Sequence, residues 1–192
     1  MAGSTFQTNP YDLFKLLEDC HRGALQLPDF QRSWVWDDER IRSLIASISD
    51  SFPVGALMTL QTGGDVNFKP RMIQGAPPTQ KEPSALLLDG QQRMTSLYQT
   101  LMRKEVVATV TARRQKVKRW YYIDMEKALD TTDDREDAIL GVPEDRQIRE
   151  NFGKDVKLDR VTLRTITDVS TAASALLQGE IDYLQYVPWD WI

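Results

Sequence analysis

The chain has 192 residues, 41% of them apolar, with five Trp, six Tyr and six Phe, enough to bury a large core without disulfides or a structural metal. Its 28 Asp and Glu against 24 Lys and Arg leave a net charge of −4, which argues against broad, non-specific attraction to nucleic acid but not against a locally basic face. One Cys and one His exclude a disulfide framework, a zinc knuckle and a di-histidine metal site.

The start, MAGSTFQTNPYD, has neither a basic n-region nor an apolar h-region, so it does not read as a signal peptide. No apolar stretch approaches the roughly 20 residues needed to span a bilayer. A soluble cytoplasmic protein without membrane partners is expected, and the lone Cys suits a reducing compartment.

In chain order, Asn9-Pro10 predicts an N-cap and first-turn proline for a helix whose stripe is Leu13, Leu16, Leu17 and Cys20. His21 follows, where a histidine can meet a helix C-terminus. Leu25–Leu27 reads as a short strand halted by Pro28. Asp29 to Trp36 is unusual for a loop, since it sets Gln31-Arg32 among Phe30, Trp34 and Trp36. Asp37 or Asp38 caps a second helix with Ile41, Leu44, Ile45 and Ile48 on one face, closed near Ser51 by Phe52-Pro53.

Val54–Leu60 reads as a core strand containing Gly55. Thr62–Ser84 reads as a long polar connection whose only short apolar patches are Val66–Phe68 and Met72-Ile73, with one edge strand expected within it. Ala85–Leu88 is a core strand that runs straight into Asp89-Gly90-Gln91-Gln92-Arg93. A helix follows, with Met94, Leu97, Tyr98 and Leu101 on one face. Val106–Thr111 and Arg119–Asp124 read as two strands with a basic segment, Arg113 to Arg119, between them.

From Asp124 to Arg160 the chain holds 12 acidic and 7 basic residues. Val161, Leu163 and Thr165 suggest a short strand, and Thr171–Leu177 suggests a helix. The closing Pro188-Trp189-Asp190-Trp191-Ile192 offers large aromatics with nothing nearby in sequence to pack on, which suggests an N-terminal portion of a longer protein.

The strongest chemical signal is Asp89 to Arg93. A glycine after a core strand allows a tight turn, and the helix that follows presents unpaired N–H groups and a positive dipole end. Arg93 adds a fork of donors suited to phosphate oxygens, Gln91 and Gln92 can donate and accept, and Asp89 can hold a metal ion or a water. The structural alternative is an ordinary strand–helix turn with Arg93 paired to Asp89. Gln31-Arg32 is the second candidate, for ring faces beside a guanidinium suit a base or nucleotide; equally, Arg32 could simply stack on a tryptophan. The Arg113–Arg119 run is either the solvated edge of a hairpin or a nucleic-acid contact. There is no GxxxxGKS/T, GxSxG, HExxH or strand-borne GxGxxG motif.

Three segments, LQLPDFQRSWVWD (Leu25 to Asp37), FPVG (Phe52 to Gly55) and LLDGQQRMTSL (Leu87 to Leu97), together resemble the N-terminal domain of GmrSD-type, modification-dependent restriction proteins. That domain is similar in fold to ParB and sulfiredoxin. The likeness is firm over residues 10 to 102. It implies a mixed α/β fold with a small mixed sheet and surrounding helices. It also implies one domain over 1–192, with its core at 10–125 and a C-terminal part at 126–192.

For function, the resemblance implies nucleotide binding and Mg²⁺-dependent hydrolysis in anti-phage restriction, with a downstream His-Asn-His nuclease domain. The family's Gln-Arg pair falls on Gln31 and Arg32, its signature on Asp89, Gly90, Gln91, Gln92 and Arg93 followed by Thr95, and its Pro-x-Gly on Pro53 and Gly55. Met94 and Ser96 stand where Leu and Thr are common. Arg32, Asp89, Gln92 and Arg93 are the expected catalytic set, with Asp89 on the metal. Gln31, Arg32, Gly90, Gln91, Gln92, Arg93 and Thr95 are the expected nucleotide ligands. In the ParB-like fold, phosphates meet a GxxR-like turn, where Gly90 and Arg93 lie. Sulfiredoxin chemistry would need a cysteine in that turn, whereas Cys20 sits on the first helix. Two other readings are a non-catalytic sensor of modified DNA working through Arg113–Arg119 and the long loop, and a ParB-like nuclease, for which few metal ligands cluster.

Overall fold

The computed structural model describes residues 11–64, 68–130, 134–150, 155–158 and 183–184. Helix α1, Leu13–Arg22, starts at Asp12, whose carboxylate accepts from the Lys15 N–H, and stops at Gly23 in the left-handed conformation. Strand β1 (Leu25–Pro28), helix α2 (Asp38–Ser49), strands β2 (Met58–Gln61), β3 (Pro70–Arg71) and β4 (Ala85–Asp89), and helix α3 (Gln91–Leu97) follow. A π-helical turn, Tyr98–Met102, extends α3. Then come β5 (Val107–Val110), β6 (Lys116–Asp124), α4 (Met125–Leu129), a 3₁₀ turn, β7 (Ile139–Pro143), β8 (Ile148–Glu150), β9 (Asp155–Leu158) and β10 (Tyr183–Leu184).

The fold is mixed α/β. A first sheet has the order β2-β4-β1-β3, in which β1 and β4 are parallel and both outer strands antiparallel. A second sheet is built on the long strand β6, which pairs antiparallel with β5, β7 and β10. Among the described residues, β8 and β9 pair separately.

Each sheet has its own core. Leu17, Cys20, Leu27, Leu87, Met94 and Tyr98 fill the first, while Trp34, Ile41, Ile45, Tyr121 and Ile139 fill the second. Helix α2 serves both, sending Leu44 into one and Ile41 and Ile45 into the other, and Trp36 packs against both. Its apolar face is therefore split between two sheets. Arg42 fastens the arrangement by donating to the carbonyls of Ile139 (2.8 Å) and Glu136 (3.1 Å), and Arg135 pairs with Asp50 at 2.9 Å.

Several expectations are corrected. The first helix is capped by Asp12, and Asn9-Pro10 lies outside the described residues. The apolar run Val54–Leu60 is not a core strand: only Met58 onward is paired, at the sheet edge and largely exposed. Gly55, at φ +91°, turns the chain out of extended geometry, and the Val54 and Ala56 carbonyls go to Arg93 instead of a neighbouring strand. In the long connection the one expected edge strand is present, at Pro70–Arg71; of the apolar patch Val66–Phe68, only Phe68 is described. Ile73, 1% exposed, anchors that connection in the first core. The second strand of the later pair begins at Lys116, so it absorbs half of the basic segment. The expected elements at Val161–Thr165 and Thr171–Leu177, and the aromatic end at Pro188–Ile192, lie outside the described residues.

Candidate functional site

Strands β1 and β4 run side by side in the same direction, with Leu25 opposite Ala85 and Gln26 opposite Leu86. Both candidate motifs leave the C-terminal ends of these strands. Loops at the carboxyl ends of parallel strands form the crevice that α/β folds commonly use for ligands.

Three glutamines join the two motifs. Gln31 Nε2 donates to the Leu88 carbonyl at 2.6 Å, and Gln91 Nε2 donates to the Arg32 carbonyl at 2.5 Å. Gln92 is used at both ends: its Oε1 accepts from the Val35 N–H at 2.9 Å, and its Nε2 donates to the Ser33 carbonyl at 3.1 Å. Trp34 Nε1 donates to Ser96 Oγ at 3.0 Å, one helical turn further along. Since Gln91 and Gln92 are buried, these bonds replace water contacts that the loop carbonyls would otherwise lose.

This lattice leaves the Arg32 side chain exposed, and its guanidinium has no hydrogen-bond or ion-pair partner among the described residues. Arg93 is placed differently. Its Nη1 donates to the Val54 carbonyl, and its Nη2 donates to the Ala56 carbonyl at 2.8 Å and faces Asp89 Oδ2 at 3.4 Å. Two of its five N–H groups remain for another acceptor. Asp89 is well exposed, 72% at its side chain. Gly90, at φ +93°, caps α3 without a side chain, so no side chain satisfies the first N–H groups of that helix. Thr95 is fully buried, and its Oγ1 has no hydrogen-bond partner among the described residues.

Leu57 packs on Gly90 so closely that a Cβ there would lie 2.2 Å from its Cδ2. The Arg93 clamp itself helps to line an open apolar groove of about 300 Å³, together with Leu13, Leu16, Phe52, Val54, Leu57 and Met94. The lone thiol is buried in the first core: burial, and then the Asp19 carboxylate, push Cys20 up to about 12. Among the described residues no group of three or more His, Cys, Asp or Glu side chains converges as a metal cage, and no helix is long and apolar enough to cross a membrane.

One contributor carried no sequence signal. Arg71 Nη2 donates to the carbonyls of Gln31 (2.9 Å) and Arg32 (3.2 Å), so the long connection also grips the first motif. Only the antiparallel pairing of β3 with β1 brings it there.

Fold and site together define a mixed α/β domain with an arginine-bearing loop bolted to a Gly-Gln-Gln-Arg turn. Residues 13–183 match the family model described as GmrSD restriction endonuclease, N-terminal domain, and the chain belongs to that family. It is also 28% identical over 155 residues to an uncharacterized protein of Methanocaldococcus jannaschii, a match that covers 77% of this chain and 26% of the relative. The chain thus spans about a quarter of that relative's length. No solved structure matches the chain significantly.

Proposed function

We propose that this chain is a nucleotide-binding and nucleotide-hydrolysing regulatory domain, ParB/sulfiredoxin-like in fold, of a cytoplasmic DNA restriction protein in anti-phage defence. Membership in the restriction family supports the setting. The observation that carries the site is the junction of Arg32 with the Gly90 turn at the ends of two parallel strands.

Phosphate oxygens fit the open N–H groups at Gly90–Gln92, with Arg32 as the mobile cation that neutralises charge on the transferred phosphoryl group. Asp89 is a single exposed carboxylate, which suits Mg²⁺, an ion commonly held by one or two carboxylates together with substrate phosphates. Bound there, the ion would supply charge neutralisation on the phosphates. Gln31, Gln91 and Gln92 act by holding the Arg32 loop, because their amides are occupied by main-chain partners. Arg93 keeps the Gly55 segment against the turn and offers its remaining donors to phosphate. Thr95 supports the helix from within. A nuclease domain downstream is the partner whose action the nucleotide state would govern.

Calorimetric binding of ATP and GTP with Mg²⁺, together with phosphate release, tests this reading. Arg32→Ala is the informative variant, since the side chain is exposed and its guanidinium has no hydrogen-bond or ion-pair partner among the described residues. A loss of affinity or turnover of tenfold or more is expected. Absence of saturable binding by any nucleotide, or a variant equal to the parent, would sink it. Binding without turnover keeps the site and removes hydrolysis.

A further inference from the structure

The basic run between β5 and β6 is unused by the nucleotide site. Val110 pairs with Lys116, and Thr111 N–H bonds to the Gln115 carbonyl at 2.9 Å, so Ala112, Arg113 and Arg114 form a three-residue hairpin tip. Arg114 N–H closes the turn on the Thr111 carbonyl at 2.8 Å. All of Ala112 to Lys116 is exposed. Arg113, Arg114 and Lys116 have no ion-pair or hydrogen-bonded side-chain partner among the described residues, whereas Lys118 nearby is neutralised by Glu144 at 2.9 Å.

We infer that this hairpin tip is a contact for the backbone of double-stranded DNA, with Arg113, Arg114 and Lys116 as the phosphate-facing cations. The tip bears no aromatic or aliphatic anchor of the kind that protein interfaces and membrane surfaces use, so its chemistry is that of a polyanion site. A two-stranded β-ribbon fits the wide major groove of B-form DNA, while the deep, narrow major groove of A-form RNA excludes it. Arg114 adds a second observation. Its φ is +60°, at a hairpin position where glycine or asparagine is the unstrained choice. An arginine held there places a cation at the point of the hairpin at the expense of local conformational ease.

That strain separates binding from folding. Arg114→Gly relaxes the backbone and so should raise the melting temperature, yet it should weaken DNA binding. The test is a fluorescence-anisotropy titration of a mixed-sequence 20-base-pair duplex across a salt series, with the parent, Arg113→Ala/Arg114→Gly, and a control, Lys81→Ala/Lys104→Ala, that removes the same charge elsewhere. Three phosphate contacts give a slope of log K against log salt of about −2.7, falling to about −0.9 when two are removed. The control should stay near the parent value. Nucleotide binding should be equal in all three proteins, since the hairpin lies outside the Gly90 turn, so failure here and failure of the nucleotide site are separately visible. No duplex binding at 50 mM salt, a slope unchanged in the hairpin variant, or competition by poly-glutamate as strong as by duplex at equal charge would each overturn the assignment.

Discussion

Gly55 and Arg93 occupy adjoining space: a Cβ on Gly55 would lie 2.4 Å from Arg93 Nη1, so the guanidinium would have to shift. The guanidinium fills the concave side of the Gly55 turn and takes the carbonyls on either side of it. A glycine at φ +91° is thus favoured twice, for its backbone and for the undisplaced position of the arginine that lies against it.

Gly55→Ala should therefore destabilise the fold by about 1–3 kcal/mol, combining left-handed strain with displacement of Arg93. Gly63→Ala is the matched control, because Gly63 has φ +101° but nothing within 4 Å of its would-be Cβ. Urea melts of both variants should show the larger loss at Gly55. Equal losses would mean that Arg93 yields freely.

Gln92→Leu removes both amide bonds to the 33–35 loop and leaves the Ser33 carbonyl and Val35 N–H without their partner. A loss of about 1–3 kcal/mol is expected. The loop should also open locally, so trypsin should cut after Arg32 faster than in the parent under native conditions. A cleavage rate that does not change would show that Gln31, Gln91 and Arg71 suffice to hold it.

Cys20 should resist thiol reagents in the native protein at pH 8 and react only after unfolding, because the reactive species is the thiolate and burial holds the pKa at about 12. The same shift makes stability depend on pH. The unfolded thiol, near 9, loses its proton first, so the unfolded state binds fewer protons and stability falls as pH rises from about 9 to about 12. Comparing the pH dependence of urea melts in Cys20→Ala and the parent isolates this contribution. An identical decline in both would assign it to other groups.

Tyr121 donates to Asp38 Oδ1 at 2.7 Å across the join between α2 and the second sheet. Burial first, and the Asp38 carboxylate second, raise its pKa above the usual tyrosine value. Tyr121→Phe should cost about 1–3 kcal/mol, since a charged acceptor loses its donor. Titration of the folded protein at 295 nm should show the same absorbance change near pH 10 in Tyr121→Phe as in the parent, because Tyr121 does not ionise there. Free ionisation of Tyr121 in that range would contradict its burial.

Local chemistry made much of the fold legible. The 3.6-residue stripes of α1 and α2 were readable because each of those helices buries one face, and the β4–Gly90–α3 junction was readable because an apolar run meets a glycine, although α3 is buried at every residue but Arg93. Val54–Leu60 misled because apolar character does not distinguish a core strand from an edge segment that lines a groove. The split duty of α2 was invisible, since Ile41, Leu44, Ile45 and Ile48 satisfy a single stripe equally well.

For the candidate site, the sequence alone marked the candidate residues, Gln31-Arg32 and Asp89 to Arg93, and the family to which the chain belongs. Their types and spacing are covalent facts. Which donors stay open for a ligand was decided only by the tertiary structure. Arg32 and Arg93 carry the same guanidinium, yet one is exposed without a partner and the other faces two main-chain carbonyls and Asp89. The Asp89 contact is local, but the two carbonyls lie more than 35 positions from Arg93, brought there by the pairing of β2 with β4 and the turn at Gly55, and hydrogen-bond partners at such separation leave no periodic trace in a sequence.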